Sequence, residues 1–167
     1  MVKEQKISEK FLYEIWKNQK FEKPITTADG EAIQVIYPGE ENVDKSGPDF
    51  INGRIKIGNI TYVGDIEIDT SHSDWKAHGH NLNKRFNKVI LHATLENDSH
   101  QFFVYTQNNR KVPTVPISLF LEKSLRESLT EVIKEKNNKQ TNKMSCMQLS
   151  DLANDESKIK FLYDLGI

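Results

Sequence analysis

Along the first two-thirds of the chain, apolar residues alternate with polar ones in short runs, and at the start and again beyond Pro116 they recur at helical spacing. In SEKFLYEIWKNQKF, Phe11 pairs with Ile15 and Leu12 with Trp16 one turn apart, so one face of a first helix is apolar and Ser8 is placed to cap it. IQVIY, bounded by Asp29-Gly30 and Pro38-Gly39, predicts a first strand, and PGEENVDKSGPD a polar loop after it. FINGRIKI and ITYVGDIEI flank Gly58-Asn59, a tight-turn dipeptide, and predict an antiparallel hairpin. SDWKAHGHNLNKRFNK, with Ser73 or Asp74 as cap and Leu82 above Phe86, predicts a second helix that Gly79 weakens. VILHATLEN and QFFVYTQ predict two more strands. Pro113 and Pro116 then close the region before the amphipathic ISLFLEKSLRESLTEVIKEK.

The order is helix, three strands, helix, strand, with a further strand and helices behind it. That is an α/β chain of the α+β kind, a mixed sheet flanked by helices. NNKQTNK is polar and lacks aromatics, so the expected organisation is a core domain over residues 1–136, then a polar linker and short helical tail over 137–167.

Charge and composition narrow the function. Lys+Arg 23 against Asp+Glu 24 leaves a net charge of -1, so any nucleic-acid binding must come from a local patch rather than a global basic field. The lone Cys146 excludes an internal disulfide framework, and the opening residues lack the pattern of a signal peptide. No apolar run approaches the roughly 20 residues that span a bilayer, so the expectation is a cytoplasmic protein without a membrane partner.

The chemistry concentrates in GPDFINGRIKIGNITYVGDIEID, which sets Asp49, Asp65, Glu67 and Asp69 into an isoleucine-rich hairpin. On a strand, Asp65, Glu67 and Asp69 share one face and Ile66 and Ile68 the other. Clustered carboxylates raise one another's pKa unless a cation sits among them, and a divalent metal is one solution. The other is a solvated hairpin face. Register decides between them. A two-residue turn at Gly58-Asn59 places Asp49 opposite Ile68 and apart from Glu67, whereas a one-residue offset, from a three-residue turn or a bulge at Gly53 or Gly64, places Asp49 opposite Asp69 and diagonal to Glu67.

A Pro-Asp at the start of one strand and a Glu-x-acid in the next, inside an αβββαβ order, resembles the PD-(D/E)xK nuclease superfamily. DGEAIQVIYPG, NVDKSGPDF, GDIEI, SDWKAHGH and NKVILHA resemble the successive motifs of a narrower bacterial family, domain of unknown function 2851. The resemblance implies a nuclease-like phosphodiesterase that uses Mg²⁺ or Mn²⁺ on nucleic acid, with Asp49, Glu67 and Asp69 catalytic and Asp49, Glu67, Asp69 and the Ile68 carbonyl around the metal. The superfamily's lysine falls on Asp69, where the narrower family usually has histidine. Lys56 or Lys76 is a candidate to supply the missing cation, and Glu14 to assist from the first helix. The alternative is a module that has lost catalysis and binds nucleic acid or a protein partner.

His72, Asp74, His78 and His80 lie close together, with His92 on the next strand, but the spacing fits no strong zinc signature. Asp74 and His78, one turn apart, are expected to pair with each other, and Gly79 to keep the histidines from acting as a zinc set. His78 and His80, with Lys84, Arg85 and Lys88, are candidates to line a groove for a phosphate backbone. Trp75 is expected in the core.

Overall fold

The computed structural model describes residues 2–22, 24–125 and 127. The chain divides into two units, Met1–Leu121 and Glu122–Ile167, and the sheet belongs to the first. The tail expected over 137–167, and most of the helix expected from residue 117, lie outside the described residues. The part of that helix that is described begins as a 3₁₀ turn, Ile117–Phe120.

Helix α1, Val2–Asn18, precedes a mixed sheet of seven strands: β1 Ile33–Tyr37, β2 Glu40–Glu41, β3 Phe50–Ile57, β4 Ile60–Ser71, β5 Val89–Glu96, β6 Phe103–Tyr105 and β7 Lys111–Pro116. Their order across the sheet is β1-β3-β4-β5-β7-β6, with β2 alongside β3. β4, β5 and β7 run parallel to one another, and the remaining pairs are antiparallel. Among the described residues, no helix is long and apolar enough to cross a membrane.

The apolar stripe of α1 is buried as its spacing predicts, with Phe11, Leu12, Ile15 and Trp16 all in the core. The helix starts at Val2, ahead of the Ser8 cap expected from sequence. Across the middle of the sheet, Phe50, Ile66 and Leu91 lie in one row on one face. Glu67, His92 and Thr114 lie in the next row, on the other face. A second apolar cluster of Trp75, Phe86, Val89, Val104 and Val112 is also buried. Trp75 is anchored there by its indole N–H, which donates to the Tyr105 carbonyl at 3.0 Å.

Three expectations are corrected. The second helix shrinks to α2, Asp74–Ala77, followed by 3₁₀ turns at His80–Leu82 and Lys84–Lys88, because Gly79 takes a φ of 76° and ends the helix. The prolines do not close the sheet. β7 contains both of them: Pro113 faces Phe103 of β6, and residues 114–116 switch partner to β5, so the strand is stitched by different neighbours along its length. An unexpected short strand ahead of the hairpin, β2, comes from the stretch read as loop and pairs with β3.

The short crossover from β4 to β5 brings the end of the Lys84–Lys88 turn directly over Gly64. A Cβ at Gly64 would collide with the Lys88 carbonyl and the Ile90 side chain. Backbone cannot retreat there without disturbing the parallel pairing of β4 with β5. Gly64→Ala is therefore expected to cost about 2 kcal/mol, in the range of an overpacked core site, as read by chemical denaturation of the full chain. Gly30→Ala gives no useful comparison for packing because its φ is 94°, so Thr61→Ala on the exposed end of β4 serves as the neutral control.

Candidate metal centre

The β3 and β4 strands begin in the register of a two-residue turn, with Ile57 opposite Ile60 and Gly53 opposite Gly64. Between Gly53 and Phe50 the register slips by one residue, so Phe50 faces Ile66. The slip is a bulge at Asn52, whose φ is 58°, and whose amide donates to Asp65 Oδ1 at 3.2 Å. The offset runs opposite to the one expected from Gly53 or Gly64. It sets Asp49 beside Glu67 rather than opposite Asp69, and on the same face as both.

Each acid of the hairpin has a specific partner. Asp65 holds the bulge. The Asp49 amide donates to Glu67 Oε2 at 3.1 Å, and Asp49 Oδ2 accepts from the Ile68 amide at 2.9 Å. Asp49 Oδ1 accepts from the Tyr13 hydroxyl of α1, whose ring packs edge-on against Phe50 at 5.6 Å. Asp69 is 4% exposed and sits between two imidazoles: Oδ1 is 3.0 Å from His78 Nδ1 and Oδ2 is 3.0 Å from His92 Nε2. His80 Nε2 lies 3.0 Å from Glu67 Oε1 and 3.9 Å from Asp69 Oδ2. Close as it is, this nitrogen is buried and has no aligned hydrogen-bond partner among the described residues.

Aromatic packing fixes the imidazoles. His80 stacks on Phe86 at 4.0 Å between ring centres, and Trp75 meets His80 at 5.3 Å and His92 at 5.2 Å. His92 Nε2 lies 3.0 Å from Asp69 Oδ2, and its Nδ1 faces the Thr114 hydroxyl at 3.5 Å. Asp74 does not pair with the His78 ring. Its carboxylate accepts from Thr70 Oγ1 and the Ser71 amide, both at 2.9 Å, while the His78 ring turns to Asp69.

Electrostatics follow from this packing. Burial pushes the Asp69 carboxyl up, but the hydrogen bonds from His78 and His92 and the charge of nearby imidazoles outweigh it and hold the group at about 2. Burial pushes His80 down to about 4 against the pull of Asp69, and His78 and His92 reinforce the depression. His80 is thus neutral at physiological pH.

Of the residues singled out from sequence, Asp49, Glu67, Asp69, His78 and His80 come together. Ile68 is adjacent through its amide bond to Asp49. Lys56 is not near them: it faces Gln34 and Thr61 at the hairpin's far end, seven residues beyond Asp49, or about 23 Å along a strand. Lys76 is exposed on α2. Glu14 is engaged with Asn18 at 3.0 Å, and it is its neighbour Tyr13 that reaches the acids. Arg85, expected in a phosphate groove, bonds Ser46 and lies 3.9 Å from Asp44, in the loop that leads into Asp49. Sequence reasoning missed Tyr13 altogether. The pattern offered only a tyrosine between two buried apolar pairs.

A family model described as "Protein of unknown function (DUF2851)" matches residues 9–163, so the chain belongs to that family. No curated protein and no solved structure matches it.

The pH dependence of stability tests these electrostatics. In the fold His80 stays neutral down to about pH 4, whereas an unfolded histidine takes its proton near 6.5. Between those values the unfolded chain binds more protons, so stability falls as pH drops from 6.5 towards 4. Asp69 adds a further loss as pH falls from 3.8 through about 2. Denaturation of chelator-treated protein is expected to show a loss of up to about 3 kcal/mol between pH 7 and 4, and His80→Gln to flatten that limb.

Proposed function

We propose that this member of the family is a metal-dependent phosphodiesterase acting on nucleic acid, built on a PD-(D/E)xK-like αβββαβ core. Support for the reading comes from α1, β1, β3, β4, the short α2 and β5, which follow one another in that sequence with the two-residue β2 inserted between β1 and β3. The observation that carries the reading is the bulge at Asn52, which sets Asp49 beside Glu67 on the buried face where the resemblance requires both. Two carboxylates and the neighbouring Ile68 carbonyl form an oxygen donor set of the kind Mg²⁺ or Mn²⁺ takes. The ion, when bound, supplies neutralising charge and an acidified water.

The chain's own groups prepare the site. Tyr13 and the Ile68 amide hold the Asp49 carboxylate in one orientation. His80, neutral, stands at the edge of the carboxylate pair with Nε2 3.0 Å from Glu67 Oε1. His78, more exposed than the rest, stands at the rim where a phosphate would approach.

A second reading is favoured by what surrounds Asp69. At the position of the superfamily's lysine stands an anion already bonded to two imidazoles, and Lys56 is too distant to replace the cation. In this reading the chain is a catalytically degenerate module that binds nucleic acid or a protein partner.

Glu67→Gln separates the two. The full chain's melting temperature should rise with Mg²⁺ or Mn²⁺, because binding selects the folded state, and the variant should lose that rise. If the chain is an enzyme, wild type cleaves DNA or RNA and the variant falls by at least about a hundredfold, on the order of 3 kcal/mol, while still binding nucleic acid. Metal binding without cleavage of either nucleic acid, single or double stranded, selects the binding module. Melting that ignores both ions removes the oxygen-ligated metal site.

A further inference from the structure

Asp69, His78 and His80 each present one donor atom, and the three atoms lie within 4.8 Å of one another. Donors about 2.1 Å from a shared ion stand roughly 3.0–3.4 Å apart at tetrahedral or octahedral angles; His78 Nδ1 stands at such a distance, 3.0 Å from Asp69 Oδ1, and His80 Nε2 is 3.9 Å from the other oxygen, Oδ2. An acid cluster alone would imply little. Here two features beyond charge point to a ligand.

The first is the buried His80 Nε2, which lacks an aligned hydrogen bond although it faces two carboxylates. A buried ring nitrogen without an aligned hydrogen bond costs free energy in such a place. The second is the support behind the donors. His92, itself flanked by Thr114, bonds the other oxygen of Asp69, and Phe86 and Trp75 lock the His80 ring. Such outer partners fix a ligand's direction in metal sites.

The left-handed turn at Gly79 places the two histidines on one carboxylate. The helix break that argues against a zinc set in the sequence is what assembles the donors. His78 is 42% exposed, so the donors open to solvent on one side. Three protein ligands and an open side match a site that keeps a coordination position for an exogenous group, rather than a closed structural one.

We propose that Asp69, His78 and His80 bind one divalent transition-metal ion of the Zn²⁺ class, next to the oxygen pair Asp49 and Glu67 and chemically distinct from it. Two imidazole nitrogens favour Zn²⁺ or Co²⁺ over Mg²⁺, which takes oxygen. For His78 to ligate through Nδ1, its proton moves to Nε2 on the exposed side. The site does not depend on the phosphodiesterase reading, because it is measured without nucleic acid.

The test uses the full chain with any affinity tag removed, titrated with Zn²⁺ and with Mg²⁺ by calorimetry, and with Co²⁺ by visible absorption. One Zn²⁺ per chain is expected, bound at least about a hundredfold more tightly than Mg²⁺, with a Co²⁺ spectrum typical of nitrogen and oxygen ligation. His78→Ala lies at the exposed edge and should fold normally, yet weaken Zn²⁺ at least about tenfold and change the Co²⁺ spectrum. His80→Gln should do the same. Zn²⁺ affinity unchanged in both variants, or no preference over Mg²⁺, overturns the proposal. Glu67→Gln should leave a Zn²⁺ site in place while removing the Mg²⁺ response, so loss of the phosphodiesterase reading and loss of this site give different results.

Discussion

A carboxylate inside a sheet has to be met by donors on every side that water has left, and this molecule puts three of them, Asp65, Glu67 and Asp69, on one buried stretch of β4. Much of the surrounding architecture supplies that demand. The Asn52 amide, freed from the ladder by the bulge, goes to Asp65; the Asp49 amide goes to Glu67; and histidines from two separate elements go to Asp69. Remove the acids and the bulge, the glycine turn and the inward histidine of β5 lose their evident purpose. Apolar residues of the same volume would pack the site at less cost, so the polar arrangement speaks for a role beyond stability.

Parallel pairing of β4 with β5 is what makes the histidine side of this arrangement possible. A parallel neighbour must be reached by a crossover, and here the crossover is barely long enough: one turn of α2 and two 3₁₀ turns. It passes over the acid face, and its first half carries His78 and His80 on either side of Gly79. The register then sets His92 directly beside Glu67, two residues along β4 from its contact with Asp69. Crossover and strand therefore converge on one carboxylate from opposite directions.

Strands with alternating or β-rich runs were legible in the sequence: IQVIY, both arms of the hairpin and VILHATLE all appear where the pattern puts them. What stayed hidden follows from physics that a linear pattern does not carry. Asn52 looks like an ordinary strand residue, and only its left-handed φ reveals the bulge that decides which acids meet. Pro113 and Pro116 read as terminators because a proline cannot donate to a ladder, yet β7 changes partner between them. The Asp49 and Glu67 pair was legible through the resemblance of their motifs. Its tie to Tyr13 was not, since a tyrosine on a helix gives no sign of what lies opposite.

Asp69 shows how a single position can reverse meaning with its surroundings. A lysine there would bring a positive charge to the acids. The aspartate brings a negative one, yet the two imidazoles that clasp it hold it ionised well below the usual carboxylate range, so its charge persists at any pH where the protein works. A permanently ionised, oriented carboxylate flanked by nitrogen donors is poorly suited to shuttle a proton and well suited to hold a cation. Within the described residues, the imidazoles of His78 and His92 are what meets that charge.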